Sequence, residues 1–246
     1  MTASGTGAEQ NNGAVITHEE KKLKQALFGA YYSFAVLDSD LTKTLPMKQV
    51  ISGAFDTLSH CMETYMGRPQ ETNLSDEINE AIMRNVIKNL CSLIKNPDDD
   101  FARGELMWAS AIAENGMLKL GKQTDFQCHM IEHAVGAYTE CNHGQGLAVI
   151  HPALYRHLLD SGKEKLARMA ETVWRVKGTT TEETAMRGIE TLEAFIREIG
   201  LPTHWSEMGI TDETVLRAAA DTSIITPGCC RQFSRDEIFE ILKERM

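Results

Sequence analysis

From Pro46 to its end, the 246-residue chain repeats apolar side chains at the spacing of helices that bury one face, with Gly and Pro falling between segments. This pattern predicts amphipathic helices over 46–66, 74–95, 99–120, 125–138, 144–160, 163–176, 181–199, 211–221 and 234–245. Several starts are marked. Pro46 fits a first turn, the NLSDE run at 73–77 supplies a polar cap followed by acids, and the NPDDD run at 96–100 stacks carboxylates where a helix carries its positive end. The Gly200-Leu201-Pro202 step ends the seventh segment. Met62, Met66, Trp108, Met117 and Met130 fall on helical stripes and read as core, and burial is also the default for Trp174 and Trp205.

The first 45 residues break this rhythm. Two short apolar runs, AVIT at 14–17 and FAVLD at 34–38, read as buried strands behind a loop rich in Gly, Ser, Thr and Asn. Two strands do not make a stable sheet alone, so this segment reads as the edge of another domain. The expected organisation is 1–45 as a remnant and 46–246 as an all-helical domain.

A formal charge of −10 and the absence of a basic run argue against nucleic acid as a partner. Six cysteines without a C-x-x-C pair read as reduced thiols of a cytoplasmic protein. No apolar run reaches the roughly 18 residues of a spanning helix, and residues 1–13 lack the basic and apolar regions of a signal peptide.

Candidate chemistry concentrates in the histidines. His129 and His133 are four apart on one predicted helix, as are Asp56 and His60 on another, and His143 precedes a Gly-x-Gly turn. Side chains four apart share a helix face and can reach one ion. Asp56 lies in an apolar run where an unpaired carboxylate is costly, so it needs a cation or a basic partner. Spacing alone leaves both open. His18, His151, His157 and His204 remain unassigned. The HMIEH run at 129–133 also fits the H-x-x-E-H pattern of zinc metallopeptidases, with Glu132 as general base, but that reading leaves Asp56, His60 and His143 without a task.

Three stretches, GAFDTLSHCMETY, HMIEHAVGAYTECNHGQGLAVIHPAL and AFIREIGLPTHWSEMGI, together resemble the iron-containing (group III) alcohol dehydrogenase family, in particular its butanol-dehydrogenase-like branch. The resemblance implies a mainly α fold: the helical metal-binding domain of the dehydroquinate synthase-like/iron alcohol dehydrogenase fold, with a β-containing remnant of an α/β nucleotide-binding domain. It implies a metal held by Asp56, His60, His129 and His143, with Fe2+ favoured and Zn2+ open, and His133 as the residue that helps move the alcohol proton. The implied reaction passes hydride between a primary alcohol or aldehyde and NADP or NAD. By motif match, Thr2, Thr6, Asn11 and Lys24 fall where the family meets the nucleotide.

The sequence also departs from that family. Nothing matches a G-x-G-x-x-G pyrophosphate loop, and the 34–38 run lacks the proline usual before it. The expectation is therefore a C-terminal portion with impaired turnover, either paired with a separate nucleotide-binding chain or acting as a metal-binding module without catalysis. Homo-oligomerisation is expected as well, favoured by exposed apolar surface.

Overall fold

The computed structural model describes residues 2–246. Strands β1 (Gly13–His18) and β2 (Leu23–Phe28) form an antiparallel hairpin with Gly13 opposite Phe28 and His18 opposite Leu23. The helices follow: α1 (Met47–Tyr65), α2 (Leu74–Lys95), α3 (Asp100–Glu114), α4 (Gln127–Thr139) and α5 (His143–His157). Next come α6 (Leu159–Met169), extended by a π turn at Ala170–Trp174, then α7 (Thr181–Glu198), α8 (Glu213–Thr222) and α9 (Arg235–Lys243). The mainly α fold is as the periodicity predicts.

The caps explain where helices begin. Asn73 and Asp76 form a reciprocal capping box at the start of α2, and Asp99 accepts from the Ala102 amide at the start of α3. Each satisfies amide groups that a helix leaves without internal partners.

Helix α1 is the centre of the molecule. Every residue from Ala54 to Tyr65 is buried, because α2, α3 and α5 pack around it. A helix enclosed on all sides is normally apolar throughout. This one instead buries Asp56, Thr57, Ser59, His60, Glu63 and Thr64, so their partners must lie on the neighbouring helices.

Four expectations need correction. The 34–38 run is not a strand: it is extended and unpaired, with Phe34 82% exposed. The 14–17 run is a strand within β1 but not a buried one, with Val15 51% and Ile16 54% exposed, and its partner is Leu23–Phe28, whose adjacent Lys24 and Gln25 and largely exposed side chains hide it from a search for buried runs. The 99–120 segment is not one helix either: α3 stops at Glu114, Gly116 takes φ +93°, and a short 3-10 turn follows at Met117–Lys119. That break carries Met117 to the surface, and Trp108 also lies on the exposed side of α3. Met62, Met66 and Trp205 are fully buried as expected, the Trp205 indole donating to the Leu242 carbonyl at 2.9 Å.

The glycine-rich N-terminal loop lies directly on α1. A Cβ on Gly53 would stand 2.0 Å from the Ser4 carbonyl oxygen, and one on Gly5 would stand 3.1 Å from Asp56 Oδ2. The Gly5 amide donates to Ser110 Oγ at 2.8 Å, tying the loop to α3 as well.

Candidate metal centre

Asp56 is the focus of the buried polar groups. Its Oδ1 lies 3.3 Å from His129 Nε2, 3.4 Å from His143 Nε2 and 3.6 Å from His60 Nδ1. Three elements supply these groups: α1 brings Asp56 and His60, α4 brings His129, and the first turn of α5 brings His143. The ligand atoms of Asp56, His129 and His143 all lie within 4.8 Å of one another. His60 stacks on His129 with ring centroids 4.4 Å apart, and its buried Nδ1 has no hydrogen-bond partner.

Two further carboxylates back the rings. Glu63, seven residues after Asp56 on α1, meets His129 Nδ1 and also accepts from the Cys128 amide at 2.5 Å. Glu132 of α4 meets His143 Nδ1. Each imidazole is thereby held by one nitrogen while the other faces Asp56. The arrangement is that of histidines whose outer nitrogen is fixed by a carboxylate while the inner one serves an ion. Glu63 did not stand out in the sequence, and Glu132 did so only as the general base of the metallopeptidase reading. The available signal was position: Glu63 lies on the Asp56 face two turns further along the same helix, and Glu132 sits between two histidines.

Charge follows from this packing. Burial works against charge on Asp56, but His60, His143 and His129 outweigh it and hold the carboxyl well below its usual range. Burial likewise opposes protonation of His129, yet Glu63 and Asp56 push it up to about 10. His143 is raised to about 9 against burial by Glu132 and Asp56.

The donor set suits a divalent cation. Asp56, Glu63 and Glu132 face one ammonium, Lys24, whose Nζ is 3.4 Å from Glu132; with neutral imidazoles this leaves two unbalanced negative charges. Protons on His129 and His143 meet that imbalance in the metal-free chain, and a divalent ion would replace them. The unpartnered His60 nitrogen fits the same account, since a buried polar atom without a partner is costly.

His133 lies beside the cluster, its ring centroid 5.4 Å from that of His143 and 6.1 Å from that of His129. Its Nδ1 is buried and unpartnered. Burial, then His129, His143 and Lys24, lower it to about 2, so the ring is neutral. Glu132 is fully buried and engaged by His143 and Lys24, so it is not a free base of the metallopeptidase kind.

The sequence matches the C-terminal domain of the Fe-containing alcohol dehydrogenase family over residues 50–246. The chain belongs to that family. It is 33% identical to the NADPH-dependent aldehyde reductase YqhD of Escherichia coli over 217 residues, 87% of this chain and 56% of that protein. Against the probable NADH-dependent butanol dehydrogenase 1 of Bacillus subtilis, identity is 34% over 250 residues, 99% of this chain and 64% of the relative. The crystal structure of the Thermotoga maritima NADH-dependent butanol dehydrogenase A superposes over 100% of this chain and 64% of its own, with a TM-score of 0.93 at 30% identity. The chain therefore spans less than two thirds of the length of these relatives.

The nucleotide-side residues fare differently from one another. Thr2 and Thr6 are exposed on the N-terminal loop. The Asn11 amide is occupied within that loop, donating to the Thr6 and Gly7 carbonyls while its oxygen accepts from the Gly13 amide. Lys24 points from β2 to Glu132, which joins the hairpin to the histidine cluster. A separate open cavity of about 840 Å3 lies between the α4–α5 turn and residues 200–210, and none of the clustered histidines lines it.

Proposed function

We propose that this chain is the metal-holding part of an alcohol dehydrogenase/aldehyde reductase that passes hydride between a primary alcohol and NADP or NAD. The observation that carries the proposal is the meeting of Asp56 with His60, His129 and His143 where α1, α4 and the start of α5 come together. Those four side chains would hold Fe2+ or Zn2+, a choice that a set of one carboxylate and three imidazoles leaves open. When bound, the ion supplies Lewis acidity toward the alcohol or aldehyde oxygen.

The remaining roles belong to the chain. Asp56 contributes the negative charge that retains the ion, and the N-terminal loop over Asp56 keeps water from that side. His133, with an unpartnered Nδ1 next to the cluster, would take up and pass on the alcohol proton. Thr2, Thr6, Asn11 and Lys24 would meet the nucleotide, with residues 1–45 as part of the nucleotide-binding domain and 46–246 as the metal-binding one.

Turnover by these 246 residues alone is impaired, because holding the dinucleotide in position supplies much of the rate advantage. A nucleotide-binding portion, joined or separate, completes the site. The chain self-associates through apolar residues exposed on the hairpin and beyond it, such as Phe28 and Phe34. Free thiols at all six cysteines accord with a cytoplasmic setting, and among the described residues no helix is long and apolar enough to cross a membrane.

Metal analysis and titration of the purified chain, beside Asp56→Ala and His143→Ala, test the site. One divalent ion per chain, lost in both variants, is expected; equal binding by all three proteins would sink the assignment. Aldehyde reduction assayed with NADPH and added Fe2+ tests the rest. Brisk turnover by this polypeptide would overturn the claim of impairment, and light scattering across protein concentration reads self-association.

A further inference from the structure

The two outer carboxylates occupy equivalent places, one for each of two rings. Glu63 on α1 backs His129 of α4, and Glu132 on α4 backs His143 of α5. Glu132 is the more telling, because the fold makes room for it. A Cβ on Gly146 of α5 would come within 2.9 Å of Glu132 Cγ and 3.2 Å of its Oε1, and one on Gly136 of α4 would lie 3.2 Å from Oε1 and 3.3 Å from Lys24 Nζ. Two helices thus forgo a side chain where this carboxylate sits. Lys24 supplies its countercharge at 3.4 Å, and the Cys141 thiol lies 3.8 Å from Oε1.

We propose that Glu132, with Glu63 as its counterpart, is a positioning residue of the metal centre. Each carboxylate accepts the Nδ1–H of its histidine, which fixes that nitrogen as the donor, so that the proton an ion would displace is the one on Nε2, aimed at the place shared with Asp56. Lys24 holds the Glu132 carboxylate in register and makes the hairpin part of the support for His143. The inference rests on the metal-binding reading. It adds that affinity and coordination geometry are set from outside the ligand shell, by groups that never touch the ion. Loss of such outer partners typically weakens metal binding about tenfold to a hundredfold.

The test uses the whole chain with Co2+ or Zn2+ alone, so no catalysis is needed. Affinity is read by competition with a chromophoric chelator, coordination by the visible absorption of the Co2+ form, and fold by circular dichroism and melting of the metal-free protein. For Glu132→Gln, and likewise Glu63→Gln, the expected result is a dissociation constant raised about tenfold to a hundredfold with an altered Co2+ spectrum. Metal-free Glu132→Gln should melt as the parent does. Gly146→Ala keeps the carboxylate but presses on Glu132 Cγ, and should weaken binding in the same direction even if the Gln variant fails to fold. Parental affinity and spectrum in Glu132→Gln, or in Gly146→Ala where it must stand in, overturn the positioning role and leave the metal site intact. A parent chain that binds neither ion overturns both readings.

Discussion

At the scale of single residues, the charged groups sort by whether neighbours repay their burial. Glu193 on α7 gathers Arg156 and Arg197 and meets Arg245 at 3.2 Å. Burial raises its pKa, but the hydrogen bonds from Arg156 and Arg245 prevail and lower it from 4.5 to about 2. A carboxyl depressed in the folded state contributes stability fully above its unfolded value of 4.5, and that contribution fades as pH falls toward about 2. Urea unfolding of Glu193→Gln beside the parent should therefore show a gap at neutral pH that closes through this acid window. A gap that stays constant with pH would sink the account. The gathering of His129 and His143 on Asp56 was left open by spacing and came only with the resemblance, but Asp56 and His60 were legible as a pair because a spacing of four on a helix is a geometric statement that needs no fold. Glu63 and Glu132 were not, since a glutamate on a helix is ordinarily solvated and only the packing of α1, α4 and α5 shows what each one faces.

Among the elements, helix starts were the most readable feature, because caps are local chemistry. Asn73 is a clean test: Asn73→Ala removes a side-chain acceptor from the start of α2 and should cost about 1 kcal/mol in chemical denaturation, with α2 otherwise unchanged. The end of α3 is the complementary case. Gly116 adopts φ +93°, so Gly116→Ala, which meets no steric neighbour, should still lower stability by roughly 1 kcal/mol through backbone strain alone. No loss in that variant would show that the turn relaxes without cost. Strand β2 escaped the sequence because apolar runs report burial, and β2 is held by its ladder to β1 while most of its residues are exposed. The 34–38 run misled for the converse reason: apolar residues there are exposed, so composition no longer tracks structure.

For the whole molecule, stability and site share one centre. Leu58 is fully buried on α1, two residues from both Asp56 and His60 and on the opposite side of the same enclosed helix. Leu58→Ala should destabilise the chain by about 2–5 kcal/mol and lower metal affinity along with the melting temperature. Parental metal affinity in a protein that melts lower would separate the core from the site. The bundle itself was visible in the period of apolar positions, whereas its convergence on one carboxylate was visible only through the relation between distant motifs.

The way outer partners are distributed also bears on any attempt to rebuild this centre elsewhere. Helix α1 anchors the ring carried by α4, and α4 in turn anchors the ring carried by α5, so ligand and anchor never travel on the same helix for either of these imidazoles. Transplanting a single segment into a foreign scaffold would deliver a donor stripped of its orienting acid. The smallest portable unit is accordingly the trio of helices in its native register, with the Lys24 strand required if the charge on the last anchor is to stay balanced.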